Sequence, residues 1–115
     1  MTTLLLFAIE AHAGSPELDT CLNNAQNQLD MTGCAWEEYE RQDKRLNVNY
    51  AAAMAKRDDA GKAALRAEQR AWITRRDASC PAPGKESGSM GPMEHNLCLA
   101  GATQSRADVL EGMAR

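Results

Sequence analysis

Aromatic side chains are scarce in this sequence: one Phe, two Trp and two Tyr occur among 115 residues. That is too few to pattern a sandwich or barrel, and the abundance of Ala points to an all-α chain instead. Histidine is limited to His12 and His95, so a Ser-His-Asp or Cys-His arrangement would have to be built around one ring. No C-x-x-C pair and no Gly-rich phosphate cradle is present, which argues against zinc and nucleotide sites. No cofactor is expected. The longest apolar run, Leu4 to Ile9, is far below the roughly 20 residues that span a bilayer. Charge of one sign is also missing: 13 basic residues interleave with 16 acidic ones for a net −3, which fits neither an acidic tail nor a nucleic-acid footprint.

The length suits one domain, and no linker-like break divides it. The short apolar run leads into Ala11-His12-Ala13 and then Gly14, the small-x-small form of a signal-peptidase site. Residues 1–13 therefore read as a signal peptide, truncated or degenerate because Glu10 interrupts it and no basic residue precedes it. Residues 14–115 read as the exported domain, periplasmic or secreted. Four cysteines in a short exported chain imply two disulfides with three connectivities open. Sequential pairing of Cys21 with Cys34 and Cys80 with Cys98 is preferred, and crossed pairing stays open because all four lie toward one end.

Ser15-Pro16 opens a short helix to about Asn24, with a hydroxyl cap and proline in the first turn. Asn27 caps the longest helix, which meets no breaker until about Arg57. Asp58-Asp59 starts another, stopped by Cys80 and Pro81. Residues 81–92 hold three Pro and three Gly and read as one long loop. A last helix runs from about Met93 to Met113.

On the long helix, Ala35, Tyr39, Leu46, Tyr50 and Met54 share one stripe with Asp43. The next helix lines up Leu65, Gln69, Trp72 and Arg76, and the last lines up Leu99, Thr103, Arg106 and Leu110. An antiparallel hairpin of the first two sets Met54 against Leu65, Tyr50 against Gln69, Leu46 near Trp72 and Asp43 against Arg76. A buried carboxylate without a partner is costly, so an internal Asp43–Arg76 pair is predicted, with Arg106 as a second donor. A carboxylate facing guanidinium groups stays charged and makes a poor proton donor, so this cluster reads as a structural polar core and not a catalytic acid. Glu37 and Glu38 diverge by about 100° on a helix and are expected on a solvated face. The chain is read as a non-enzyme.

Several spaced motifs carry a family resemblance. They are Gln28-x-Asp30-Met31-x-x-Cys34-Ala35, Asp43-x-x-Leu46-Asn47-x-x-Tyr50 and Gln69-Arg70-Ala71-Trp72-Ile73-x-x-Arg76-Asp77-x-x-Cys80, followed by Gly88-Ser89-Met90, Cys98 and Thr103-x-x-Arg106-x-x-x-Leu110. The chain resembles the lysozyme inhibitor LprI-like N-terminal domain family. The resemblance implies an exported helical domain with paired cysteines and, in its namesake, inhibition of lysozyme. The expected function is a binding protein that blocks a lysozyme cleft; the alternative is a cell-envelope interaction module with no lysozyme activity. The contact expected for the first is the loop carrying Lys85, Glu86, Ser87, Ser89 and Met90, since a pre-ordered protrusion loses less entropy on entering a cleft. The plainer reading of that loop is a connection between two helices.

Overall fold

The computed structural model describes residues 14–115; the signal-peptide expectation for residues 1–13 lies outside them. Four α-helices are present: α1 (Pro16–Asn24), α2 (Gln28–Ala55), α3 (Asp59–Ser79) and α4 (Gly91–Met113). No strand occurs among the described residues. Each of the first three starts at a side-chain cap. The Ser15 hydroxyl accepts the Leu18 N–H at 3.2 Å, Asn27 accepts Asp30 N–H at 2.9 Å, and Asp58 accepts Gly61 N–H at 2.8 Å. Asp30 reaches back to accept the Gln26 N–H at 3.1 Å, so the entry to α2 is tied from both sides.

The segment expected to be loop from 81 to 92 is more ordered than its composition suggests. Lys85–Met90 winds into a 3-10 turn, because Ser87 donates its N–H to Gly84 O at 3.1 Å and accepts the Gly84 N–H on its hydroxyl at 3.2 Å. Gly88 breaks the turn at φ 66°, ψ −165°, a conformation that only glycine adopts readily. α4 then begins at Gly91 and not at Met93, since Pro92 falls in its first turn, where a missing N–H costs nothing.

α2 and α4 form the closest pair. Their contacts climb together: Asn96 donates to Thr32 O at 3.3 Å near one end, and Asn49 to Ala107 O at 3.0 Å farther along. The two helices are therefore parallel. Ala35 and Ala53 on α2, and Ala100, Thr103 and Ala107 on α4, are all buried, and side chains this small let the backbones approach. At the rim Arg45 bridges Asp108 and Glu111. The Asp108 carboxylate raises the Arg45 pKa against the opposing effect of burial, with Glu111 helping.

α3 returns antiparallel to both and completes the core at its first half, where Leu65 joins Leu46, Ala53, Ala107 and Leu110, with Tyr50, Met54 and Trp72 at the edge. Burial of these side chains is the main source of stability, at about 1.5–3 kcal/mol for each large one. Disulfides join Cys21 to Cys34 and Cys80 to Cys98. The first ties α1 to α2, and the second ties the end of α3 to α4 beneath the 3-10 turn. Each restricts the unfolded chain by about 3 kcal/mol.

Candidate functional site

The α2–α3 seam is wider than the α2–α4 seam because long side chains fill it. Tyr39, Asp43, Leu46, Asn47 and Tyr50 project from α2, and Arg66, Gln69, Arg70, Trp72, Ile73 and Arg76 from α3, leaving an open cleft of about 350 Å³. All but Tyr39 and Arg66 belong to the motifs quoted above. Three aromatic side chains, three guanidinium groups and one carboxylate thus share a single concavity.

The expected Asp43–Arg76 ion pair does not form. Both residues line the cleft, but among the described residues Arg76 pairs with its neighbour Asp77 at 3.1 Å, and no ion pair engages Asp43. The Arg76 guanidinium also lies over Trp72, 5.1 Å from the ring centroid, and over Tyr39 at 5.7 Å, and it donates to the Tyr39 hydroxyl at 3.4 Å. A planar, weakly hydrated guanidinium is suited to such stacking, and the exposed Asp77 supplies the countercharge without burial. Asp43 is half-buried rather than buried, so solvent reaches it and the need for an internal partner disappears.

Arg106 is not a second donor to Asp43 either. It is 6% exposed and turns to α3, donating to Gln69 at 2.8 Å and Glu68 at 2.9 Å. Gln69 is buried, and Tyr50 and Trp72 pack against the apolar cluster. The polar core therefore exists between α3 and α4, as Gln69 and Arg106, while Asp43 and Arg76 face the cleft.

The structure corrects the assignment of Glu38 to a solvated face, because it is 1% exposed. Its carboxylate accepts Ser15 N–H at 2.9 Å and the Ser15 hydroxyl, Arg41 Nε at 3.0 Å and Nη2 at 2.9 Å, and Gln42 Nε2 at 3.1 Å. Burial pushes the Glu38 carboxyl up, but the Ser15 hydroxyl, Gln42, Arg41 and the Ser15 backbone together outweigh it and hold its pKa below the ordinary value. The signal was present as the run Cys34, Glu38, Gln42, at spacing four on the face shared with Ala35 and Leu46. An apolar count passes over it because two of the three residues are polar.

The 3-10 turn places Lys85, Glu86, Ser87, Ser89 and Met90 in solvent, with Met90 49% exposed. Its base is held by the Cys80–Cys98 disulfide and by a contact of 3.0 Å between His95 Nδ1 and Pro81 O. A β-carbon on Gly91 would lie 2.5 Å from Ser87 Cβ and 3.1 Å from Pro83 Cβ, so the turn is packed closely on the start of α4. Among the described residues no group of three or more His, Cys, Asp or Glu side chains gathers as for a metal ion. No helix there is long and apolar enough to cross a membrane.

The fold is a disulfide-linked all-helical domain that carries an open cleft and a pinned protruding turn. Over residues 21–110 it matches the family described as lysozyme inhibitor LprI, and the chain belongs to that family. It is 37% identical to an uncharacterised protein of Rhizobium meliloti (strain 1021), in an alignment covering 96% of this chain and 89% of that protein. No solved structure matches the chain.

Proposed function

We propose that the chain is exported and acts by binding, as an inhibitor that blocks the cleft of a lysozyme. The family match across residues 21–110 carries this reading, and the two disulfides suit an oxidising compartment. The contact assigned to it is the turn of Lys85, Glu86, Ser87, Ser89 and Met90. A protrusion fixed by a disulfide and by close packing at Gly91 enters a concave site with little loss of conformational freedom. Inhibition then needs no catalytic group on this chain, only occupancy of the enzyme's cleft.

The α2–α3 cleft favours a second reading, a module that holds an envelope protein. Arg66 and Arg70 are exposed beside the half-buried Trp72, an arrangement that suits an acidic, partly apolar segment of a partner. Lysis of bacterial cell walls by lysozyme, measured with the purified oxidised chain in micromolar excess, separates the two. Inhibition that falls at least tenfold in Met90→Asp but survives Arg70→Glu is the expected result. Undiminished lysis with the wild-type chain discards the inhibitor reading.

A further inference from the structure

Glu38 sits where the chain enters α1, and its surroundings point to something other than a static anchor. Its Oε2 faces the backbone of Ser15, whose N–H it accepts at 2.9 Å. Gly14 crosses directly beside it with φ +80°, and a β-carbon there would meet Leu18 Cδ2 at 2.6 Å and Glu38 Oε2 at 3.1 Å. In the uncut chain the positive φ at position 14 favours glycine, and the close approach of Glu38 Oε2 places this backbone beside the carboxylate. Immediately before it stands Ala11-His12-Ala13, the small-x-small pattern after which a signal peptidase cuts.

We propose that cleavage after Ala13 creates an α-ammonium on Gly14 that the buried Glu38 carboxylate captures, making this corner of the fold a receptor for the chain's own matured amino terminus. The proposal rests on the export reading above. In the cleavage step water adds across the Ala13–Gly14 peptide bond: its hydroxyl goes to the Ala13 carbonyl carbon, and the Gly14 nitrogen leaves as an amine that takes up protons. With Ser15 N at 2.9 Å from Oε2, ordinary bond lengths keep the Gly14 nitrogen within about 6.5 Å of it. An uncut chain has a neutral amide at that place, so capture distinguishes the mature chain from its precursor.

Two charges oppose capture and three favour it. The start of α1 carries a partial positive charge of about one half, but the Ser15 hydroxyl already caps it. Arg41 is a full positive charge on Oε1, the other carboxylate oxygen of Glu38, and it is shared with Glu17 on α1 at 3.7 Å. Glu38 supplies a full negative charge in a water-poor position, and Glu17 and Asp19 add theirs from α1. From α4 the corner receives Leu97, Ala100, Gly101 and Gln104, none of them charged, which line an apolar groove of about 410 Å³ with Leu18 and Leu22. Low polarity on that side strengthens the attraction between ammonium and carboxylate.

The test uses a purified, disulfide-intact chain released by a tag protease so that it begins at Gly14, which makes the measurement independent of export and of lysozyme. Titration of the 15N-labelled Gly14 amine by NMR is expected to give a pKa at least half a unit above the ordinary amino-terminal value of about 7.7–8.0. Glu38→Gln returns it to the ordinary range, and so does a chain that begins at Ala13, whose ammonium is displaced by a residue; the latter comparison holds even where Glu38→Gln folds poorly. A Gly14 amine that titrates at or below the ordinary value, or that matches the Ala13 chain, overturns capture. The mass of the chain recovered from the periplasm of a bacterial host is expected to correspond to a Gly14 start, and any other first residue overturns the processing step. Failure of lysozyme inhibition appears in the lysis assay and changes neither readout.

Discussion

The two long seams of α2 differ in what they are made of, and the difference explains what each does. Against α4 the helix presents Ala35 and Ala53 and meets Ala100, Thr103 and Ala107, all buried. Against α3 it presents Tyr39, Asp43 and Tyr50 and meets Trp72 and Arg76 across an open cleft. Small residues exclude solvent by letting backbones touch, whereas long ones hold helices apart and keep polar ends wet. One seam is the structural spine of the molecule, and the other is a surface with recesses.

The largest effect should come from enlarging a small residue in the spine. Ala107 is fully buried next to Leu46, Ala53 and Leu110, and Ala107→Leu forces side chains off their rotamers at a cost of about 1–3 kcal/mol. Asn47→Leu, which adds bulk at the exposed wall of the cleft, should change stability by no more than about 0.5 kcal/mol. Urea denaturation of both variants measures the contrast. Equal midpoints for the two would show that the seams do not differ as described.

What the sequence could reveal follows the same division. Helix ends were legible because Ser15, Asn27 and Asp58 act locally, through bonds to backbone three residues on. The antiparallel sense of α2 and α3 followed from the short connection between them, and the stripe of Leu46, Tyr50 and Met54, which set the register, does face α3. The second face of α2 was not legible. It runs through Glu38 and Gln42, and polar residues that become buried by bonding to each other and to Ser15 leave no hydrophobic period. The destination of Arg76 was hidden too, since a register argument pairs charges across a seam but does not weigh aromatic rings and an adjacent Asp77 as competitors. The ordering of residues 85–90 depended on a single hydroxyl, Ser87, which composition alone does not single out.

An intermediate effect is expected in acid, on the spine side. The folded-state pKa of Glu38 lies below its unfolded value, so its charged form contributes stability that is complete above the unfolded pKa of about 4.3 and disappears as pH falls through the lower folded value. Wild type should therefore exceed Glu38→Gln in urea midpoint at pH 6, with the gap closing progressively below about pH 4. A gap that stays constant down to pH 2, or widens, would assign the contribution of Glu38 to its shape and not to its charge.

The smallest effect belongs to Asp43, and its smallness is informative. Removing one partner of a buried ion pair typically costs about 3–5 kcal/mol, because the other charge is left without compensation. Among the described residues Asp43 has no such partner, and Arg76 is already held by Asp77, Tyr39 and Trp72. Asp43→Asn should accordingly shift stability by about 0.5 kcal/mol or less. A loss of several kcal/mol in urea denaturation would instead restore the Asp43–Arg76 pair and turn the cleft into a second structural seam. A near-neutral result leaves Asp43 as a carboxylate that the fold does not need, displayed beside a guanidinium and a tryptophan in a recess open to a partner.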